Sequence, residues 1–302
     1  MPANFSHVLT LVADAQGAPL TRDHIKQVEA ALDPLAIATG DVDWLAPERA
    51  CDIALDACDP DQVEAAVTQA LARATIDCFA QPVDGRRKSL LLADMDSTII
   101  AEESLDELAG YLGLKDKIAA ITARAMAGEL DFEAAITERV GLLTGLPETS
   151  IFDAVDEMTI NPGAATLVAT MKAQGARCLL VSGGFEHFTG AVAAKLGFDE
   201  HQGNRLEIKD GKMTGQIEGA IRDQDSKLAT LNATAVAMSL PLSAAMTVGD
   251  GANDVPMLKA AGAGVAYHAK PVAAAAARFR INHSDLSSLL YIQGYMRSEF
   301  VT

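Results

Sequence analysis

The sequence predicts an α/β protein with a doubly wound, mostly parallel sheet and a helical insertion, preceded by a small α+β domain. Three observations carry that prediction. Apolar runs at Leu90–Ala93, 176–181 and 244–248 each stop at a loop rich in Asp, Ser or Gly, as strands buried on both faces do. Helical periodicities separate these runs, and strands alternating with helices imply parallel pairing with connections on both faces of the sheet. Residues 1–80 instead follow the order βαββαβ, with strands that alternate apolar and polar positions.

In that first domain, residues 6–13 read as a strand and 21–33 as a helix with Ile25, Val28 and Leu32 on one face. Residues 41–46 place Val42 and Trp44 on one side, and 51–56 place Cys51, Ile53 and Leu55 there. Asp59-Pro60 opens a second helix with Val63, Val67 and Leu71 spaced by four. Residues 75–79 alternate again, with Ile76 and Cys78 on one face. The βαββαβ order is the ferredoxin-like pattern, and by topology alone the domain resembles the ACT-like regulatory domains. The loop 14–20 contains Gly17 and reads as a connecting turn. Residues 81–88, QPVDGRRK, are polar with Pro82 and Gly85 and read as a linker.

The second domain, 89–302, begins with the strand Leu90–Ala93, which ends in Asp94-Met95-Asp96-Ser97-Thr98. Two acids beside the core of a parallel sheet repel each other unless a cation or a proton intervenes. Ligands of open α/β sheets bind beyond the carboxyl ends of the strands, where these acids fall. A helical block of about 101–160 follows, with no strand of the main sheet. Leu105, Leu108 and Leu112 align on one helix, Ile118, Ile121 and Ala125 on another, and Asp131 caps a third carrying Phe132, Ile136, Val140 and Leu143. Residues 150–158 make a short fourth helix. The alternation then resumes. Asn161-Pro162-Gly163 precedes a helix, 176–181 is a strand running into Ser182-Gly183-Gly184, and the next helix stops at Gly197. Residues 204–219 read as a hairpin turning at Asp210-Gly211. Asp225 and Ser226 are expected to cap a helix starting near Lys227, and 244–248 runs into Gly249-Asp250-Gly251-Ala252-Asn253-Asp254. Residues 264–267 and 279–282 are further short strands.

Composition narrows the function classes. A formal charge of −17 over 302 residues argues against nucleic-acid partners, which call for a basic patch or stripe. No run reaches the roughly 18 apolar residues of a membrane span, and the first residues do not read as a signal peptide. The four cysteines lack C-x-x-C spacing and read as reduced core residues of a cytoplasmic protein.

Four polar signals follow strands or open helices, and each suits phosphoryl transfer. Carboxylates from two strand ends can hold Mg²⁺. The hydroxyl and amides of Ser182 to Gly184, read here as a helix entry, can bind phosphate oxygens. Lys227 offers a compact positive charge, and an aspartate can act as nucleophile, splitting hydrolysis in two. Singly each has a plain alternative: a turn, a solvated lysine, a loop or a calcium site, although 249–254 lacks the glutamate an EF-hand needs. Their joint order and spacing are what point to one site.

Over about residues 88–295 these motifs resemble the haloacid dehalogenase-like phosphatases, and among them the phosphoserine phosphatases. The resemblance rests on D-x-D-S-T followed by Glu102-Glu103, on Glu138-Arg139-Val140 with Leu142-Leu143, on S-G-G-F and on G-D-G-A-N-D. It implies that Asp94 is the phosphorylated nucleophile and that Asp96 protonates the departing oxygen, then activates water. It implies Mg²⁺ held by Asp94, the Asp96 main-chain carbonyl and Asp250, with Thr98 and Asp254 behind them. Ser182, Gly183, Lys227 and Asn253 would hold the phosphate. The helical block looks like that family's cap, in which Glu103 would contact the substrate's amino group and Arg139 its carboxylate, with Met126 and Phe132 as apolar walls or cap core. An Arg fork suits a carboxylate because two parallel hydrogen bonds orient it.

The expected reaction is Mg²⁺-dependent hydrolysis of O-phospho-L-serine, the last step of serine biosynthesis. The rival within the same chemistry is another small phosphomonoester, such as phosphothreonine or phosphoglycolate. A different reading makes 1–80 a serine sensor with the phosphatase as its output. An exposed strand edge in that domain would allow a homodimer.

Overall fold

The computed structural model describes residues 5–111, 113–126 and 129–302. Leu112 lies outside the described residues, as do the side chains of Ala125, Met126 and Phe132 to which the sequence assigns packing roles.

The N-terminal elements are β1 (His7–Ala13), α1 (Arg22–Leu32), β2 (Thr39–Ala46), β3 (Ala50–Leu55), α2 (Pro60–Ala70) and β4 (Ile76–Pro82). They form a four-stranded sheet in the order β2-β3-β1-β4, antiparallel at every pairing. Asp59 starts α2 by accepting a hydrogen bond from the Asp61 N–H, with Pro60 in the first turn where its missing donor costs nothing. One sheet face, with Leu9, Leu11, Ile53 and Leu55, packs on Ile25, Val28, Val63 and Val67 of the two helices. The opposite face is equally covered. Val12, Leu45, Ala46, Ala50 and Phe79 join the same apolar cluster as the larger sheet, and the Phe79 and Phe279 rings meet edge to face at 5.8 Å.

That second contact is also polar. Asp77 on β4 accepts from the N–H groups of Asn282, His283 and Ser284 and from the Ser284 hydroxyl at 2.6 Å. Arg86, in the segment expected to be a linker, donates to Asp52 at 2.7 Å, to Thr10 and to the carbonyls of Tyr291 and Ile292. The 81–88 stretch is therefore fastened to the N-terminal sheet and to the helix Ser288–Ile292, and β4 continues to Pro82 rather than ending before it.

The larger sheet has seven strands in the order β11-β10-β9-β5-β6-β7-β8. These are β5 (Leu90–Ala93), β6 (Arg177–Phe185), β7 (Glu200–Lys209), β8 (Lys212–Glu218), β9 (Ala245–Gly249), β10 (Ala263–Tyr267) and β11 (Phe279–Ile281). Pairing is parallel from β11 through β7, and β8 returns antiparallel. Its hairpin turns at Asp210 and Gly211, both at positive φ (51° and 72°), the two-residue geometry whose twist matches the strands. The helices of this layer are α7 (Ala164–Ala173), α8 (Glu186–Leu196), α9 (Gln224–Ala237), α10 (Val255–Ala260), α11 (Pro271–Ala276) and α12 (Ser288–Ile292). In register, Ala93 lies opposite Leu180 on one side and Val248 on the other. Asp94, Asp250 and the irregular stretch of β6 from Ser182 therefore fall at one edge of the sheet.

Two local expectations change. The segment Ser182 to Gly184 is not a helix entry. It lies within β6 at a break in register between Val181 and Phe185, and α8 begins only at Glu186. The cap of α9 is Asp223, whose carboxylate accepts from the N–H groups of Asp225 and Ser226 while Ser226 Oγ bonds back to it. Three capping residues lie within four positions there, and the first of them takes the role.

Helices α3 (Ser104–Tyr111), α4 (Lys115–Met126), α5 (Phe132–Gly141) and α6 (Thr149–Glu157) form the insertion. It enters and leaves through a short ribbon: Ile100 pairs with Ile160, Ala101 N–H donates to Thr159 O and Asn161 N–H to Ile99 O. A second attachment joins it to the β7–β8 hairpin, through Gly145 N–H to Met213 O, Met213 N–H to Leu146 O and Glu148 N–H to Gly211 O. No helix of the described residues is long and apolar enough to cross a membrane.

Candidate active site

The chain leaves β5 into a tight turn, with the N–H groups of Thr98, Ile99 and Ile100 converging on the Met95 carbonyl and Ser97 at φ 54°. This turn buries Asp94 and holds Asp96 beside it. Lys227, near the start of α9, sends its ammonium between two carboxylates, 2.6 Å from Asp94 Oδ1 and 2.6 Å from Asp254 Oδ1. Its side chain is 2% exposed and that of Asp254 0%. Asp254 Oδ2 accepts the N–H groups of Asp250 and Gly251, so its carboxylate ties Lys227 to the loop that presents Asp250.

Two acids share one ammonium here, and the buried cluster keeps a surplus negative charge. Burial first, then the Asp254 carboxylate, push the Asp94 carboxyl well above its usual range against the pull of Lys227. Burial alone would lower the Lys227 ammonium, but Asp94 and Asp254 reverse that and hold it above its ordinary value. Asp250 is likewise raised by burial, partly offset by Lys270.

Asp96 is aimed from two sides. Ser182 Oγ donates to its Oδ2 at 2.8 Å, and the Ser104 N–H donates to its Oδ1 at 2.9 Å. Ser182 Oγ in turn accepts the Gly184 N–H at 2.8 Å. Gly184 is required by close approach: a Cβ there would lie 2.7 Å from Asp96 Oδ2, 2.8 Å from Ser104 Oγ and 3.1 Å from Ser182 Oγ. Gly183 contributes its carbonyl to the Asn204 side chain. Thr98 is fully buried, and its main-chain carbonyl accepts the Asn161 side chain at the foot of the insertion. Asn253 lies on the short turn Ala252–Asp254, half-buried.

Glu103 reaches this cluster from the root of the insertion. Its Oε1 accepts from Ser97 Oγ at 3.0 Å and lies 3.9 Å from Lys270 Nζ. Burial and the neighbouring Asp96 raise its carboxyl, and the Ser97 hydrogen bond works against them. Arg139 stands apart. Its Nη2 lies 3.5 Å from Asp106 Oδ1, and its Nε is buried without a hydrogen-bond partner among the described residues. A guanidinium so placed retains donors for an incoming carboxylate.

The donor set fits a hard divalent cation. Asp94, Asp250 and Asp254 each bring a carboxylate oxygen within 4.8 Å of the others, and the cluster has negative charge to spare. Asp254 is already committed through both oxygens, which leaves Asp94 and Asp250 as the better ligands. Lys270, which no sequence motif marks, also reaches the cluster: its loop follows β10 and opens α11 with Pro271, as the other site loops follow strands.

A seven-stranded, mainly parallel sheet with a buried carboxylate cluster at its central strand ends defines a class, and comparison with known proteins agrees. Residues 91–259 match the haloacid dehalogenase-like hydrolase family, and the chain belongs to it. The chain is 38% identical to a phosphoserine phosphatase of Streptomyces coelicolor over 99% of its own length and 73% of that protein's. It is 43% identical to one from Lactococcus lactis, over 67% of this chain and 94% of that one. Among solved structures, a HAD family hydrolase from Salmonella enterica serovar Typhi superposes with a TM-score of 0.85 at 30% identity, covering 98% of this chain and 100% of the other. A substrate-bound phosphoserine phosphatase gives 0.64 at 36% identity, over 68% of this chain and 98% of that one. The protein is a phosphatase.

Proposed function

We propose that the protein hydrolyses O-phospho-L-serine to L-serine and phosphate through an aspartyl phosphate on Asp94. The observation that carries the chemistry is the buried Asp94–Lys227–Asp254 cluster, with Asp96 held beside it by Ser182 and Ser104. The names of the relatives carry the choice of substrate.

In the first half-reaction an Asp94 carboxylate oxygen attacks phosphorus and the bond to the seryl oxygen breaks. Asp96 gives its proton to that oxygen as serine leaves. Asp96, now a carboxylate, takes a proton from water as that water attacks the phosphorus, and the bond to Asp94 breaks. Lys227, Ser182, the Gly183 amide and Asn253 would meet the phosphate oxygens, with Lys227 balancing charge on the transferring group. Asp94, the Asp96 carbonyl and Asp250 would hold Mg²⁺, with Thr98 and Asp254 supporting them. When bound, the ion would neutralise phosphate oxygens. Glu103 would take the substrate ammonium and Arg139 its carboxylate. The insertion, about 101–160, would act as a cap over 89–302, excluding bulk water while Asp94 is phosphorylated.

A panel of phosphoserine, phosphothreonine and phosphoglycolate tests this reading. The kcat/KM for phosphoserine should lead the panel by at least about tenfold; a flat profile would reject the substrate.

For residues 1–80 we propose an ACT-like, ferredoxin-like domain, supported by its element order and by the strand order β2-β3-β1-β4. Binding of L-serine there is best titrated on the whole chain, because a 1–80 fragment would bare Val12, Leu45, Ala46, Ala50 and Phe79. The outer strand β2 offers an edge for a homodimer, which light scattering would detect. A place in the cytoplasm, at the last step of serine biosynthesis, suits four free cysteines and this chemistry.

A further inference from the structure

Lys270 follows β10, the strand beside β9, and stands at the start of α11 with Pro271 next to it. Its backbone is pinned. His268 turns the chain at φ 42°, its N–H donates to Ile281 O at 2.8 Å, and its Nε2 lies 3.1 Å from Ser284 O. The N–H of Lys270 donates to Asp250 O at 2.8 Å. From that base the ammonium reaches two carboxylates, Asp250 Oδ2 at 3.1 Å and Glu103 Oε1 at 3.9 Å. The first belongs to the strand-end cluster and the second to the root of the insertion. The Lys270 side chain is 53% exposed, in contrast to buried Lys227.

Resting on the reading above, in which Asp250 takes a metal ion and Glu103 a substrate ammonium, we propose that Lys270 sets the selectivity of the site by competing for both carboxylates. A lysine ammonium is a compact point charge on a flexible stem. Placed beside Asp250 and Glu103, it weakens the attraction of each for a further cation. A half-exposed pair is worth little and exchanges readily, so Lys270 yields to a cation that is otherwise well held and resists one that is not. A substrate amine then reaches Glu103 only when its carboxylate is anchored by Arg139. Amine-bearing phosphomonoesters without a carboxylate are the class discriminated against.

The test is Lys270→Met, which keeps the stem and removes the charge, with Lys270→Arg as the conservative control. Isothermal titration of Mg²⁺ into metal-stripped protein should show about three- to tenfold tighter binding in Lys270→Met. The KM for O-phosphoethanolamine should fall at least about threefold relative to that for phosphoglycolate, which has no amine. Lys270→Arg should stay within about twofold of the parent in both. These are gains, so misfolding cannot imitate them. Unchanged or weaker Mg²⁺ binding, or no relative gain for phosphoethanolamine, overturns the proposal. Should the parent protein show no preference for phosphoserine, the substrate reading fails separately, and the Mg²⁺ titration alone then decides the role of Lys270.

Discussion

The strand-end cluster and the helical insertion hold their charges in opposite ways. Asp94, Lys227 and Asp254 are buried and fastened to one another, and Asp254 also grips the backbone of its own loop. In the insertion, Glu103 is 44% exposed with one hydroxyl donor, and Arg139 is 23% exposed with a single acid 3.5 Å away. Buried charge held by short contacts resists movement because breaking them strands an ion away from water. Half-exposed charge with donors to spare costs little to rearrange. On the proposed reading, the groups assigned to bond breaking sit in the rigid layer and those assigned to substrate recognition sit where the chain can give way.

Substitutions can break or sharpen that contrast. Asp94→Asn should have the largest effect, cutting kcat by at least about 10⁴-fold with folding intact, because the proposed mechanism takes its attacking oxygen from Asp94. Appreciable turnover by the purified variant would assign the nucleophile elsewhere. Lys227→Met leaves two buried carboxylates facing each other. It should lower unfolding stability by about 3–5 kcal/mol, read from urea denaturation, and abolish activity as well. A loss of activity with stability unchanged would contradict the packing described here.

Arg139→Ala should act on selection alone. The kcat/KM for phosphoserine should drop about 10–100-fold, as expected for a lost charge-assisted hydrogen bond, while a phosphate ester without a carboxylate loses less than about threefold. Equal losses on both substrates would remove Arg139 from carboxylate recognition.

The smallest effect concerns pH. In the folded, chelated protein Asp94 and Asp250 hold protons above their ordinary carboxyl range near 4. A carboxyl raised by folding contributes stability that is present below its unfolded pKa and lost as pH rises through its folded pKa. With EDTA, the thermal midpoint should therefore be higher at pH 5.5 than at pH 7.5, by a few degrees. Mg²⁺ should recover the difference at pH 7.5. A midpoint independent of pH and Mg²⁺ would mean that the carboxylates do not repel one another as their burial implies.

Much of this is legible in the amino-acid sequence. Leu90–Ala93 followed by Asp94-Met95-Asp96 announces a buried strand ending in acids, and the hairpin at Asp210-Gly211 follows from turn chemistry. The placing of Ser182 departs from the sequence expectation because a strand with a break in register and a helix entry share the same Ser-Gly-Gly signature. The two coincide up to Val181 and differ only in which neighbour the next residues pair with. Lys270 escaped notice for a related reason: a lone lysine before a proline carries no periodic signal, and its partners Asp250 and Glu103 lie 20 and 167 positions away in sequence.

By itself, the sequence determined the alternation of strands and helices, the acids at the strand ends and the motif order, because each is written in local periodicity and side-chain type. Only the tertiary structure decided that Lys227 sits between Asp94 and Asp254, that Lys270 is shared by Asp250 and Glu103, and that the N-terminal sheet packs through both of its faces. Those facts depend on register, and register is settled by burial and pairing across the whole molecule rather than within any one segment.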